Sequence, residues 1–248
     1  MSYEQFAYLY DELMKDAPYD QWVSFVKNML AKYEVEATRL LDLACGTGEL
    51  SVRFAKQGLN VTGIDLSEDM LSVAQVKAEA EGVKIPFFQQ DMANLEGQGQ
   101  FDVIGIFCDS LNYLQTEEKV ISTFLNVHQR LQDHGIFIFD VHSIYKMTEV
   151  FVNQTFALNE DDISYIWNSF PGDDPYSVEH ELSFFVLDGP TGKYDRIDEL
   201  HYQRTYSIEQ YAGWLDIAGF QLLEINADFE QLEPTEDSER IFFVAKKK

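Results

Sequence analysis

The chain has 248 residues, 46% of them apolar, enough for one large domain with a packed core. Its 18 basic and 43 acidic residues leave a net charge of −25, which argues against nucleic acid and anionic membrane surfaces as partners. Met1-Ser2-Tyr3-Glu4 is no signal peptide, no apolar run reaches the roughly 20 residues of a membrane span, and Cys45 and Cys108 stand in no disulfide or metal-ligand spacing. The expected setting is therefore soluble, reducing and cytoplasmic, with no metal.

Residues 3–17 are rich in aromatic side chains, among them Tyr3, Phe6, Tyr8 and Tyr10. Over 19–33, Trp22, Val23, Val26, Met29 and Leu30 recur at helical spacing. A first strand over 38–43 runs into the small-residue turn Ala44-Cys45-Gly46-Thr47-Gly48, and a helix over 49–57 stops at Gly58. Glycine at 46 and 48 removes Cβ where a ligand must approach the backbone, and the helix start offers free N–H groups. A second strand over 61–64 ends in Asp65, seventeen residues after Gly48. An acid at that strand tip can accept hydrogen bonds from ribose hydroxyls. Ser67 caps a helix to about residue 81, with Glu68 and Asp69 in its first turn. The third strand, 85–89, leads to Asp91-Met92, and the fourth, 101–107, reads F-D-V-I-G-I-F. A helix over 117–132 and a fifth strand over 136–141 complete the alternation. Near-continuous apolar strands alternating with helices predict a parallel sheet covered on both faces.

The rhythm changes after His142. Residues 163–206 alternate with period 2 around turns at Pro171-Gly172-Asp173-Asp174-Pro175 and Asp188-Gly189-Pro190-Thr191-Gly192, predicting an antiparallel meander of three or so strands. Ser207 caps a helix that Gly219 stops, and strands over 220–225 and 241–245 close the chain. The expected division is an N-terminal helical cap over 1–37, a nucleoside-binding core over 38–142, a β insertion over 155–206 and a C-terminal completion of the sheet over 207–248.

A nicotinamide-binding fingerprint would carry a third glycine three residues after Gly48; Ser51 stands there instead. The set L-L-D-L-A-C-G-T-G (40–48), G-I-D-L-S-E-D-M-L (63–71), Q-D-M (90–92) and F-D-V-I-G-I-F (101–107) resembles the class I S-adenosylmethionine (SAM)-dependent methyltransferases, in that family's order and spacing. The aromatic N-terminal segment, S-L-N-Y-L after the fourth strand and the insertion resemble the small-molecule members, such as sugar N,N-dimethyltransferases and glycine N-methyltransferase-like proteins. The resemblance implies a Rossmann-like α/β sheet of seven strands in order 3-2-1-4-5-7-6. It implies that Ala44, Cys45, Gly46 and Gly48 line the methionine portion of SAM, that Asp65 holds the ribose, and that Leu66 and Met70 flank the adenine. Asp91 and Met92 would pair with the adenine edge. Phe107, at the end of the fourth strand, joins the cofactor set, and Tyr8 or Tyr10 would close over it.

On the acceptor side, Asp109 leaves the fourth strand at the carboxyl edge of the sheet and could orient an amine and take its proton. His142, after the fifth strand, is the histidine best placed to act as a general base. Asn112 and Tyr113 read better as a turn cap and a core ring. His180, His201, Arg204, Tyr165 and Trp167 could face the cleft from the insertion, with period-2 core packing as the simpler reading. The expected activity is methyl transfer to a small molecule. A non-catalytic SAM-binding regulator is the alternative, and a tRNA or protein methyltransferase a weaker one, since no N-P-P-Y type motif follows the fourth strand. The insertion could lid the cleft or supply a homodimer surface.

Overall fold

The computed structural model describes residues 9–97 and 99–248. Tyr3, Phe6 and Tyr8 lie outside the described residues. A helical turn over 9–13 precedes α1 (Tyr19–Lys32), whose Trp22, Val23, Phe25, Val26 and Met29 form one buried face. Then come β1 (Arg39–Leu43), α2 (Glu49–Lys56), β2 (Asn60–Asp65), α3 (Glu68–Ala80), β3 (Phe87–Gln89) and β4 (Phe101–Ile106). A 3-10 turn (Ser110–Tyr113) leads to α4 (Glu117–Arg130) and β5 (Leu131–His142). β1, β4 and the second half of β5 are buried on both faces, which is why they read as near-continuous apolar runs.

After a π-helical turn (Lys146–Val150) the chain forms β6 (Gln154–Asn159), β7 (Ile163–Pro171), β8 (Ser177–Asp188) and β9 (Lys193–Arg204). It ends in α5 (Ile208–Ile217), β10 (Phe220–Ala227) and β11 (Arg240–Lys247). Seven strands lie in the order β10-β11-β5-β4-β1-β2-β3, with β11 antiparallel to β5, as the family resemblance implies. The insertion is a separate antiparallel sheet, β6-β7-β8-β9. It has four strands, not three: β6 was not distinguished by its pattern, because half of Q-T-F-A-L-N is polar and exposed.

Side-chain caps fix the starts of α3 and α5. Ser67 accepts from Met70 N–H at 3.3 Å, and Ser207 forms a reciprocal box with Gln210. One core cluster packs α4 and α5 on the sheet through Phe124, Phe137, Phe139, Tyr211 and Phe243. The other packs α1 and α2 on the opposite face through Trp22, Phe25, Phe54 and Phe242. The inner face of the insertion forms a third cluster with Leu9, Tyr10, Leu13 and Met70. The N-terminal turn is thus held between the two sheets. No helix among the described residues is long and apolar enough to cross a membrane.

Candidate active site

Where β1 ends, the backbone turns through Ala44 (φ +62°), Gly46 (φ +53°) and Gly48 (φ +74°). Cys45 N–H donates to the Ile64 carbonyl at 2.9 Å, stitching the turn to β2. Asp65 completes the join: Oδ2 accepts Gly46 N–H at 2.8 Å and Oδ1 accepts Ser67 N–H at 2.9 Å. Burial raises its pKa against those two hydrogen bonds. A carboxylate has about four acceptor positions, so Asp65 keeps capacity for a diol. Asp42 is buried within β1, and burial pushes its carboxyl up to about 7. Its partner is Ser51, whose hydroxyl donates at 2.5 Å. The residue that replaces a third glycine therefore satisfies a buried acid.

The two turn glycines serve different ends. A Cβ on Gly46 would meet nothing within 4 Å, so that position opens to the cleft. A Cβ on Gly48 would lie 2.9 Å from Ala74 Cβ and 3.4 Å from the Phe87 ring. Gly48 thus permits α3 to pack rather than making room for a ligand, which corrects the role expected for its missing side chain. Gly48→Ala is expected to cost about 2 kcal/mol, from left-handed backbone and overpacking together, whereas Gly46→Ala carries the backbone cost alone. Urea unfolding of the two variants checks the difference.

At the next strand end Asp91 Oδ1 accepts Ala93 N–H at 2.9 Å, so one oxygen caps the following turn. Met92 packs its side chain against the core, and Leu66 stands 67% exposed beside the cleft. Over this region lies the N-terminal turn. Asp11 accepts from Thr47 Oγ1 at 2.5 Å and pairs with Lys77 at 2.8 Å. Tyr10 packs beside Met70, and burial pushes its phenol up, with Cys108, Tyr19, Tyr113 and Asp109 adding to the effect.

After β4 and within β5 stand two acids, Asp109 half-buried and Asp140 buried. Cys108 (φ +54°) and Asp109 (φ +52°) form a left-handed pair after β4. Both backbone N–H groups donate to Asp140 on β5, at 3.1 and 3.0 Å. Such strain persists where its surroundings over-determine it, and here Asp140 does so. Asp140 also accepts Trp22 Nε1–H at 2.8 Å and pairs with Arg240. In the β5–β11 register Arg240 faces His142 and Phe242 faces Asp140, which places Asp140, His142 and Arg240 on one face.

The side chain of Asp109 has three partners. Oδ1 accepts Arg240 at 2.9 Å, and Oδ2 accepts Gln203 Nε2 at 2.9 Å and lies 3.2 Å from His142 Nε2. Burial disfavours its charge, but His142 and Arg240 hold its pKa well below the carboxylate range. Asp109 is therefore a fully engaged anion and a poor base, contrary to the expectation that it could take a proton. His142 is 5% exposed, and burial lowers its pKa below 6.5 despite Asp109. Its Nδ1 is buried with no hydrogen-bond partner. With Nε2–H directed at Asp109, Nδ1 carries the free lone pair. His142 is neutral at pH 7 and able to accept a proton.

Residues 40–135 match the methyltransferase domain family. The chain is 57% identical over 248 residues to a protein of Geobacillus sp. (strain WCH70) named as a methyltransferase, covering 100% of each. The class I S-adenosylmethionine-dependent methyltransferases include this chain. Its fold is similar to that of a SAM-dependent methyltransferase from Clostridium acetobutylicum, with a TM-score of 0.90, 33% identity and coverage of 99% of this chain and 98% of that one. It shares its fold alone with the sugar N-methyltransferase KedS8 of Streptoalloteichus sp., with a TM-score of 0.79, 19% identity and coverage of 97% and 93%.

For a methyltransferase cleft, several expectations change. Phe107 is core: its ring is 2% exposed and lies 5.7 Å from Phe54, so only its backbone can border a cofactor. Asn112 caps no turn through its side chain. It bridges β5 and β9, accepting His142 N–H at 2.9 Å and donating to the Arg204 carbonyl at 2.8 Å. Tyr113 is no core ring; it is 47% exposed and meets His201 Nδ1 at 3.3 Å. His180 and Trp167 face inward, with Trp167 Nε1–H donating to His180 Nδ1 at 3.0 Å. Arg204 is turned to Gln115 and Asp174 instead. Asp140, Arg240 and Gln203 were not singled out from the sequence, and Trp22 was read only as part of a helix face. The available signal was a lone acid in the apolar strand I-F-I-F-D-V and a lone arginine before I-F-F-V.

Proposed function

We propose that the chain methylates a small molecule, with His142 as the proton acceptor and Asp109 as the group that orients it. The observation that carries this reading is the buried, neutral imidazole whose Nδ1 is unpartnered while its Nε2 is held on an ionised carboxylate. When bound, SAM supplies an electrophilic methyl group on a sulfonium. Residues Ala44 to Gly48 would line its methionine portion, Asp65 its ribose, and Leu66, Met70, Asp91 and Met92 its adenine. Tyr10, latched over the turn through neighbouring Asp11, excludes water from the cleft. His142 would take the proton as the acceptor's hydroxyl or amine attacks in line; alignment and water exclusion supply the rest of the rate.

The enclosed inner face of the insertion, the net charge of −25 and the fold shared with a sugar N-methyltransferase favour a small acceptor over tRNA or protein. The same composition, with no membrane-crossing helix among the described residues, favours a cytoplasmic setting. A panel of amines, phenols, hydroxy acids and sugars, read by S-adenosylhomocysteine release, tests the reading. Saturable turnover of at least one is expected. Methyl transfer only to tRNA or protein would sink it, and SAM binding without any transfer would favour a regulator.

Asp65→Ala is expected to weaken S-adenosylhomocysteine binding at least tenfold, about 1.4 kcal/mol, because the variant loses both the ribose partner and the anchor of Gly46 N–H. Titration calorimetry reads this directly. An unchanged affinity would place the ribose elsewhere.

A further inference from the structure

The Asp109 carboxylate is shared by three donors from three parts of the chain. His142 comes from the end of β5, Arg240 from the start of β11, and Gln203 from β9 of the insertion. Gln203 is 4% exposed, and its amide nitrogen sits 2.9 Å from Oδ2, the same oxygen that faces His142. A donor on a carboxylate oxygen stabilises its charge and draws that charge away from other partners. Two donors on one oxygen therefore compete.

We propose that Gln203 is a positioning residue for methyl transfer: by holding Oδ2 of Asp109 it limits the pull of that carboxylate on His142, so the inserted sheet sets how readily the base accepts a proton. The inference rests on the reading of His142 as base, but its test needs neither acceptor nor cofactor.

The groups facing His142 come from every neighbouring element. Asp109 favours its charged form; Arg240 on β11 and Lys146 in the π-helical turn oppose it, and His180 on β8 is close enough to interact. Phe151 supplies an apolar wall, with ring centroids 5.2 Å from His142 and 4.9 Å from His180. Burial holds His180 down at about 4 against the Gln203 side chain, which favours its charged form, so in the wild type it stays neutral through the range in which His142 titrates. Arg240 remains charged throughout, its pKa raised by Asp140 and Asp109 against burial. Gln203 is thus the uncharged donor in the set, and replacing it changes the hydrogen bonding without removing a charge.

The experiment is nitrogen-15 NMR titration of the histidine side chains in the full chain, with the His142 signal assigned by its loss in His142→Gln. Gln203→Met keeps the length and removes the donor. It is expected to raise the His142 midpoint by about one pH unit. Gln203→Glu puts a second carboxylate against Asp109 and is expected to raise it further, and it provides the test if the methionine variant does not fold. His128, which lies against Phe220 across the molecule, should titrate as in the wild type in both. An unchanged His142 midpoint overturns the proposal. So does an equal shift of His142 and His128, which would mark a global loosening.

Discussion

Replacing Arg240 by methionine is expected to destabilise the protein by about 3–5 kcal/mol, the cost of leaving buried charge unpaired. Arg240 lies between Asp109 and Asp140 and pairs with both. Asp140 is 0% exposed, so water cannot replace the guanidinium. The arginine also lies over the Trp22 ring, 5.0 Å from its centroid, which adds a cation–π contact to α1. Urea unfolding at pH 7 measures the loss. Adding Asp140→Asn to the variant should recover part of it, since the two positions share one interaction. A loss below about 1 kcal/mol would make the cluster behave like a surface ion pair.

The second large effect concerns turnover. His142→Gln is expected to lower kcat by about 10²–10⁴-fold, the range for loss of a positioned general base, and to leave S-adenosylhomocysteine affinity unchanged. The wild type should also show an acid limb. Because burial lowers the His142 pKa, the imidazole is neutral at pH 7 and protonates only as pH falls below its ordinary value of 6.5. Turnover should therefore be level near neutrality and decline at a midpoint below 6.5, and His142→Gln should lack that limb. The measurement is kcat against pH for an acceptor from the panel. An acid limb preserved in the variant would assign the titration to another group.

The centre of the seven-stranded sheet was legible because β1, β4 and β5 are covered on both faces and carry near-continuous apolar runs. The tight turn after β1 was legible because its residues are contiguous and local geometry dictates their types. β6 was harder to read: an edge strand of a small sheet, it has only Phe156 and Leu158 half-buried. The acceptor side was legible only in part. Asp109 and His142 stand at strand ends, where sheet topology points to ligands. The residues that define their roles come from distant parts of the chain. Arg240 reaches Asp140 across 100 residues of sequence, and Gln203 reaches Asp109 across 94. No local pattern encodes such pairings, which follow from the β5–β11 register and the return of β9 over the sheet. The role proposed for Asp109, an orienting anion and not a base, follows from this: its neighbours, not its position, decide its proton affinity.

The most direct test is a crystal structure of the protein with S-adenosylhomocysteine bound. The ribose hydroxyls should lie on Asp65 and the homocysteine portion along Ala44 to Gly48. The sulfur should face Asp109 and His142, with space for one acceptor atom about 3–3.5 Å from the methyl position and within about 3 Å of His142 Nδ1. A sulfur turned away from His142, or separated from it by more than one acceptor atom can span, would contradict the assignment of this imidazole as the proton acceptor.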